Sequence, residues 1–163
     1  MRILLNALDE AFDHKSWHGT NLRGSLRGVA AEQAAWRPAP GRHNIWEIAL
    51  HCAYWKYVVW RQITGAPRAL FPLKGSNFWA REEPAAEQWA CELKLLELMH
   101  AKLRDAVSSL APGDLGVKPP KSKYTLEFLI RGAAAHDIYH AGQIQLIKRL
   151  SDSRLPDATS RRS

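Results

Sequence analysis

Apolar residues recur three and four apart along four stretches of the chain, and Pro/Gly-rich breaks separate the stretches. The first covers 3–28 through Ile3, Leu4, Ala7, Ala11, Trp17, Leu22 and Leu26. Gly19, Gly24 and Gly28 weaken it, each costing roughly 1 kcal/mol against alanine inside a helix, so a bend near Gly19 is expected. Residues 29–43 read as a connection with one helical turn at 32–35, broken by Trp36-Arg37-Pro38-Ala39-Pro40-Gly41. Asn44 opens a helix over 44–64, and Glu47, three residues on, completes a capping box. Its stripe is Ile45, Ile48, Ala49, Cys52, Trp55 and Val59, and Gly65 with Pro67 ends it. Pro84 suits the first turn of a third helix over 85–110, with Trp89, Leu93, Leu96, Met99, Leu103 and Val107 inward. Thr125 is a good N-cap for a fourth helix over 125–150. No segment alternates as a strand does. The pattern predicts an all-α four-helix bundle over 1–150 and a polar, disordered tail over 151–163. The 66–83 loop is long and carries Phe71, Leu73, Phe78 and Trp79, so it is expected to fold back over an apolar surface, at a pocket mouth.

Composition narrows the class. The 163 residues suit one domain with a real core, and 46% hydrophobic residues are ordinary for a globular protein. The formal charge of +7 raises nucleic acid as a partner, but the cations are scattered. Arg161 and Arg162 lie in the tail, Lys118, Lys121 and Lys123 in a loop, and no helix carries a dense basic face interleaved with aromatics. Two cysteines, Cys52 and Cys91, are too few for a disulfide framework and read as reduced core residues. No run approaches the roughly eighteen apolar residues of a membrane span. Asn6, Asp9 and Glu10 interrupt the apolar start at once, so a cytoplasmic protein without a membrane partner is expected.

His136 and His140 stand four apart, so both imidazoles lie on one side of their helix. The apolar stripe there is Leu126, Leu129, Ile130, Ala133, Ile144 and Ile147; His140 falls near its middle and His136 about 40° to one side. Rings aimed into a core need partners, because an unmet polar group costs roughly 1–3 kcal/mol. A metal ion satisfies both, as would hydroxyl or carbonyl partners. His51, at the edge of the second stripe, is a third histidine in a matching position. His14 and His18 form another i,i+4 pair; His14 is expected in solvent, whereas His18, beside Trp17, is placed facing inward. Three protein ligands leave a coordination position open, as in catalytic zinc sites, and imidazole suits Zn, Ni, Cu or Fe. Occupancy is then expected to fall as pH drops through about 6.5. Gln143 shares the histidine side and is a candidate for orienting water or substrate. Glu47, one turn before His51, is a second catalytic candidate, although a solvent-facing cap explains it as well. Asp137 is placed to pair with a basic residue, and Tyr54, Trp55 and Trp17 to wall a cavity.

Trp36-Arg37-Pro38-Ala39-Pro40-Gly41-Arg42-His43-Asn44-Ile45-Trp46-Glu47, then His51, then His136-Asp137-Ile138-Tyr139-His140-Ala141-Gly142-Gln143-Ile144, resembles the DinB/YfiT-like family, from Trp17 to about Leu150. The closing HxxxHxGQI is the most specific part. That resemblance implies an up-down-down-up four-helix bundle, commonly a homodimer, with His51, His136 and His140 binding a divalent metal, zinc or nickel foremost. The wider superfamily includes thiol-dependent S-transferases and a mycothiol-dependent maleylpyruvate isomerase. A metal-dependent enzyme acting on a small molecule, of thiol-transferase or hydrolase type with a low-molecular-weight thiol as cofactor, is therefore the first reading. A non-catalytic metal- or ligand-binding stress-response protein is the second, and a nucleic-acid module the third.

Overall fold

The computed structural model describes residues 1–153, and among these there is no strand. Six α-helices follow in order: α1 (Arg2–Phe12), α2 (Leu22–Leu26), α3 (Ala31–Ala35), α4 (Ile45–Thr64), α5 (Ala86–Ser108) and α6 (Leu126–Asp152). Short 3-10 turns at Arg68–Leu70 and Pro112–Gly116 lie in the two long connections. The expected tail starts inside α6 at Ser151, and beyond Ser153 it lies outside the described residues.

The single helix expected over 3–28 is two helices, because its middle is a turn. Gly19 has φ +101°, a left-handed backbone no helix admits. Asn21 Oδ1 accepts the Gly24 N–H at 2.8 Å and starts α2 afresh, while its Nδ2 donates to the His14 carbonyl. Trp17, expected in the stripe and as a cavity wall, is 99% exposed, and His18, expected inward, is exposed as well. His14 faces solvent as expected.

The other long helices fall close to their expected bounds. Asn44 caps α4 by accepting the Glu47 N–H at 2.9 Å, but the return half of a capping box is missing because the Glu47 carboxylate is engaged elsewhere. Gly65 closes α4 at φ +72°, its N–H reaching the Arg61 carbonyl. Pro84 precedes the Ala85 N-cap instead of sitting in the first turn of α5. Of the two cysteines, both free, Cys52 is buried but Cys91 is exposed, against the core reading for both.

Helix α4 packs along α5 and against α6; α1 packs on α6 and α5. Two apolar clusters result. One gathers Trp46, Leu50, Leu96, Met99 and Ile144; the other gathers Leu8, Leu103, Val107 and Ile130. Along each long helix a polar layer interrupts the apolar run between these clusters. Lys56 of α4 pairs with Asp137 of α6, and its Nζ lies 3.4 Å from His100 Nδ1 of α5. Asp9 of α1 takes two hydrogen bonds from the Arg104 guanidinium at 2.7 and 2.9 Å. Asp137 therefore finds the basic partner its flank position called for.

Candidate metal centre

His51 comes from the first half of α4 and His136 and His140 from the middle of α6, where the two helices pack. His51 and His140 are buried and His136 half-buried. His136 Nε2 lies 3.0 Å from His51 Nε2 and 3.1 Å from His140 Nε2. The ligand atoms of the three residues all lie within 4.8 Å of one another.

Neighbouring acceptors fix which ring nitrogens carry protons. His51 Nδ1 donates to the Asn77 carbonyl at 3.0 Å, and a carbonyl can only accept. His140 Nδ1 lies 2.7 Å from Gln143 Oε1, likewise an acceptor. Both neutral rings therefore turn a bare Nε2 lone pair toward His136. A neutral His136 can donate its Nε2 proton to one of them at most, so one pair of lone pairs is left facing. A cation would satisfy all three nitrogens at once, and the donor set fits a divalent ion with open positions.

Electrostatics point the same way. Burial, the leading cause in every case, holds His51 below its ordinary pKa, His136 down at about 3 and His140 at about 4. Positive neighbours add to the effect, so His136 and His140 are neutral and ligand-competent in mild acid, and His51 is biased the same way.

The 66–83 loop does fold back onto the site. Phe78 stacks on His51 at 4.1 Å between ring centroids and on His43 at 3.7 Å. Asn77, with φ +72°, turns its carbonyl to His51 while its side-chain oxygen accepts from Trp55 Nε1 at 3.1 Å. Trp55 flanks the centre, edge-on to His51, whereas Tyr54, expected as a wall there, packs on Trp55 and Phe71 and lines a separate cavity. Neither Asn77 nor His43 stood out in the sequence.

Glu47 is not with the cluster. Its buried carboxylate takes hydrogen bonds from Arg37 at 2.6 and 3.2 Å, His43 at 2.8 Å and the Arg81 N–H at 3.3 Å. Burial pushes its pKa up, but these donors outweigh that and hold it below the usual range. It fastens the segments before and after α4 to the start of that helix, and the solvent-facing cap is corrected. Gln143, by contrast, touches a ligand candidate directly and fixes the His140 ring.

A second group, Cys52, His136 and Asp137, is equally close together. It suits a cation less well, because the Lys56 ammonium already pairs with Asp137 and burial pushes the Cys52 thiol well above its ordinary pKa. The three-histidine cluster lies between two cavities. One of about 550 Å³ reaches His51 and His140, and one of about 170 Å³ reaches His136 and is walled by α4 and α6 side chains such as Val59 and Phe128.

The family model of the DinB superfamily matches residues 15–144. The chain belongs to the DinB superfamily. No curated protein and no solved structure matches it. The matched span of this DinB-superfamily chain includes all three histidines, Gln143 and the loop that packs on His51.

Proposed function

We propose that this DinB-superfamily protein is a divalent-metal-dependent enzyme acting on a small molecule, with His51, His136 and His140 as the ligands. Its main support is the convergence of three Nε2 atoms, two of them deprotonated by the hydrogen bonds their rings make to Asn77 and Gln143. A divalent ion held there, zinc or nickel foremost by the family resemblance, would supply Lewis acidity and a position free for a substrate atom. The chain's own residues do the rest. Ile48, Phe78 and Ile147 line the 550 Å³ cavity and take up the apolar body of a substrate while displacing water. Arg42 and His43, on the same cavity, receive a polar or anionic end. Such a site suits transfer to or from a low-molecular-weight thiol, or hydrolysis, and Gln143 acts through the orientation of His140.

A domain over 1–150 built as an up-down-down-up bundle of α1, α4, α5 and α6 is supported by the pairing of α4 with α5 and α6, and of α1 with α6 and α5. Tyr139, Leu146 and Leu150 leave one apolar face of α6 exposed, which favours a homodimer. We place the protein in the cytoplasm, where two free cysteines stay reduced.

Metal-loaded protein incubated with a panel of low-molecular-weight thiols paired with alkyl and maleyl electrophiles, and with simple esters and amides, tests the reading. Turnover that disappears with chelator and in His51→Ala is expected. A fully metal-loaded protein that turns over none of the panel would favour the non-catalytic, ligand-binding reading instead.

A further inference from the structure

A cavity of about 880 Å³ lies between α4 and the loop that follows it, and none of the three clustered histidines lines it. Its volume falls within the roughly 300–1,000 Å³ of small-molecule sites. Three cations line it: Arg61 of α4 and Arg68 and Lys74 of the loop. No aspartate or glutamate is among its lining residues.

Four other cations set partly or wholly into this protein meet a carboxylate, whereas part-buried Lys148 donates to the Ser25 and Arg27 carbonyls. Arg37 meets Glu47, Arg81 meets Glu92, Arg104 meets Asp9 and Lys56 meets Asp137. The side chains of Arg61, Arg68 and Lys74 make no ion pair or hydrogen bond among the described residues, and Arg61 Nε is buried without an acceptor. A buried donor left unmet costs roughly 1–3 kcal/mol, more for a charged group. Such a cost is tolerated where a ligand supplies the acceptor.

The loop holds these charges in place. Tyr57 donates its hydroxyl to the Pro67 and Arg68 carbonyls at 3.1 and 2.6 Å, and Trp79 Nε1 donates to the Lys74 carbonyl at 2.6 Å. Phe71 is buried against Tyr54, Tyr57 and Trp79. Arg68 and Lys74, both exposed, thus extend from pinned backbone and line the same cavity as half-buried Arg61. Ser76 Oγ, the Gln62 amide and the Tyr54 hydroxyl also line the cavity with no partner in the described residues, and Trp55 adds a ring that is 39% exposed.

We propose that this cavity binds a small aromatic oxyanion, such as an aryl phosphate, with its anionic group between Arg61, Arg68 and Lys74 and its ring against Tyr54 and Trp55. Guanidinium groups suit phosphate oxygens bidentately, and two of them with a lysine outmatch a single surface contact. The site does not depend on the histidine centre or on any reaction there.

Titration calorimetry of the full chain with phenyl phosphate, at low salt and after chelator treatment, tests the proposal. Binding with a Kd below about 1 mM is expected, weakening as ionic strength rises. Arg61→Ala and Arg68→Ala, each checked for native helicity, are each expected to weaken it about tenfold or more. Arg61→Lys should lose less, and Lys94→Ala, exposed on α5, should lose nothing. Binding unchanged in both alanine variants overturns the proposal. Equal affinity for benzyl alcohol would overturn it in favour of a merely apolar pocket. Binding that requires the metal and vanishes in His140→Ala would place the anion at the histidine centre. Displacement of the probe by a DNA duplex with a steep salt slope would make the patch a nucleic-acid surface.

Discussion

Two oxygen atoms decide the state of the histidine cluster. The Asn77 carbonyl and Gln143 Oε1 each accept an Nδ1 proton and so free the Nε2 lone pairs. Removing such a support typically lowers metal affinity about 10–100-fold. Gln143→Ala is therefore expected to weaken metal binding by that factor in a chelator competition, with the circular dichroism spectrum unchanged. A variant with wild-type affinity would mean that His140 is oriented by packing alone. The histidines and Gln143 were legible because helical spacing puts them on inner faces of α4 and α6. Asn77 was not, since a carbonyl in an irregular loop carries no periodic signal. His100 carries the same periodic signal: it stands four past Leu96 and three before Leu103, on the buried face of α5. His43, four residues before Glu47, stands at a helix-pair spacing but lies ahead of the Asn44 cap, where helical periodicity does not apply.

At the scale of the helices, Lys56 and Asp137 tie α4 to α6 one residue from His136. Burial raises the Asp137 pKa against the pull of Lys56, which bonds Oδ2, while Oδ1 has no hydrogen-bond partner among the described residues. Lys56→Met leaves a buried carboxylate without its counter-charge, a loss of about 3–5 kcal/mol in such pairs. Urea unfolding should show that cost for the single variant and a clearly smaller one for Lys56→Met with Asp137→Leu. Equal losses in both would mean that shape, not charge, dominates the layer. The bounds of α4, α5 and α6 followed from their caps and stripes. The first stretch misled because its apolar spacing continued by chance through Trp17, while the left-handed turn at Gly19 and the cap at Asn21 decided the local fold.

For the whole molecule, buried neutral histidines link stability to pH. His100 and His136 take up protons in the folded chain only at about 3, and His140 at about 4, for burial foremost. In the unfolded chain all three do so near 6.5. Below that pH the unfolded chain binds more protons, so acid favours it. The metal-free protein should hold its full stability above about pH 6.5 and lose it progressively toward pH 4, as read from urea midpoints. A flat profile across that window would contradict neutral burial. The same depression moves acid release of metal below the 6.5 expected of unperturbed histidines. No helix among the described residues is long and apolar enough to cross a membrane. Light scattering is expected to give twice the 18.4 kDa of one chain, because of the apolar α6 face; a monomer mass would count against the dimer.

Elemental analysis of untagged protein and its histidine variants tests the central claim most directly. About one divalent ion per chain is expected in the wild type, in His14→Ala and in His18→Ala, whose side chains lie in solvent. His51→Ala, His136→Ala and His140→Ala should each lose most of it while keeping their helical content. Stoichiometric metal in His140→Ala, together with its loss from His14→Ala or His18→Ala, would place the ion outside the α4–α6 cluster and contradict the account.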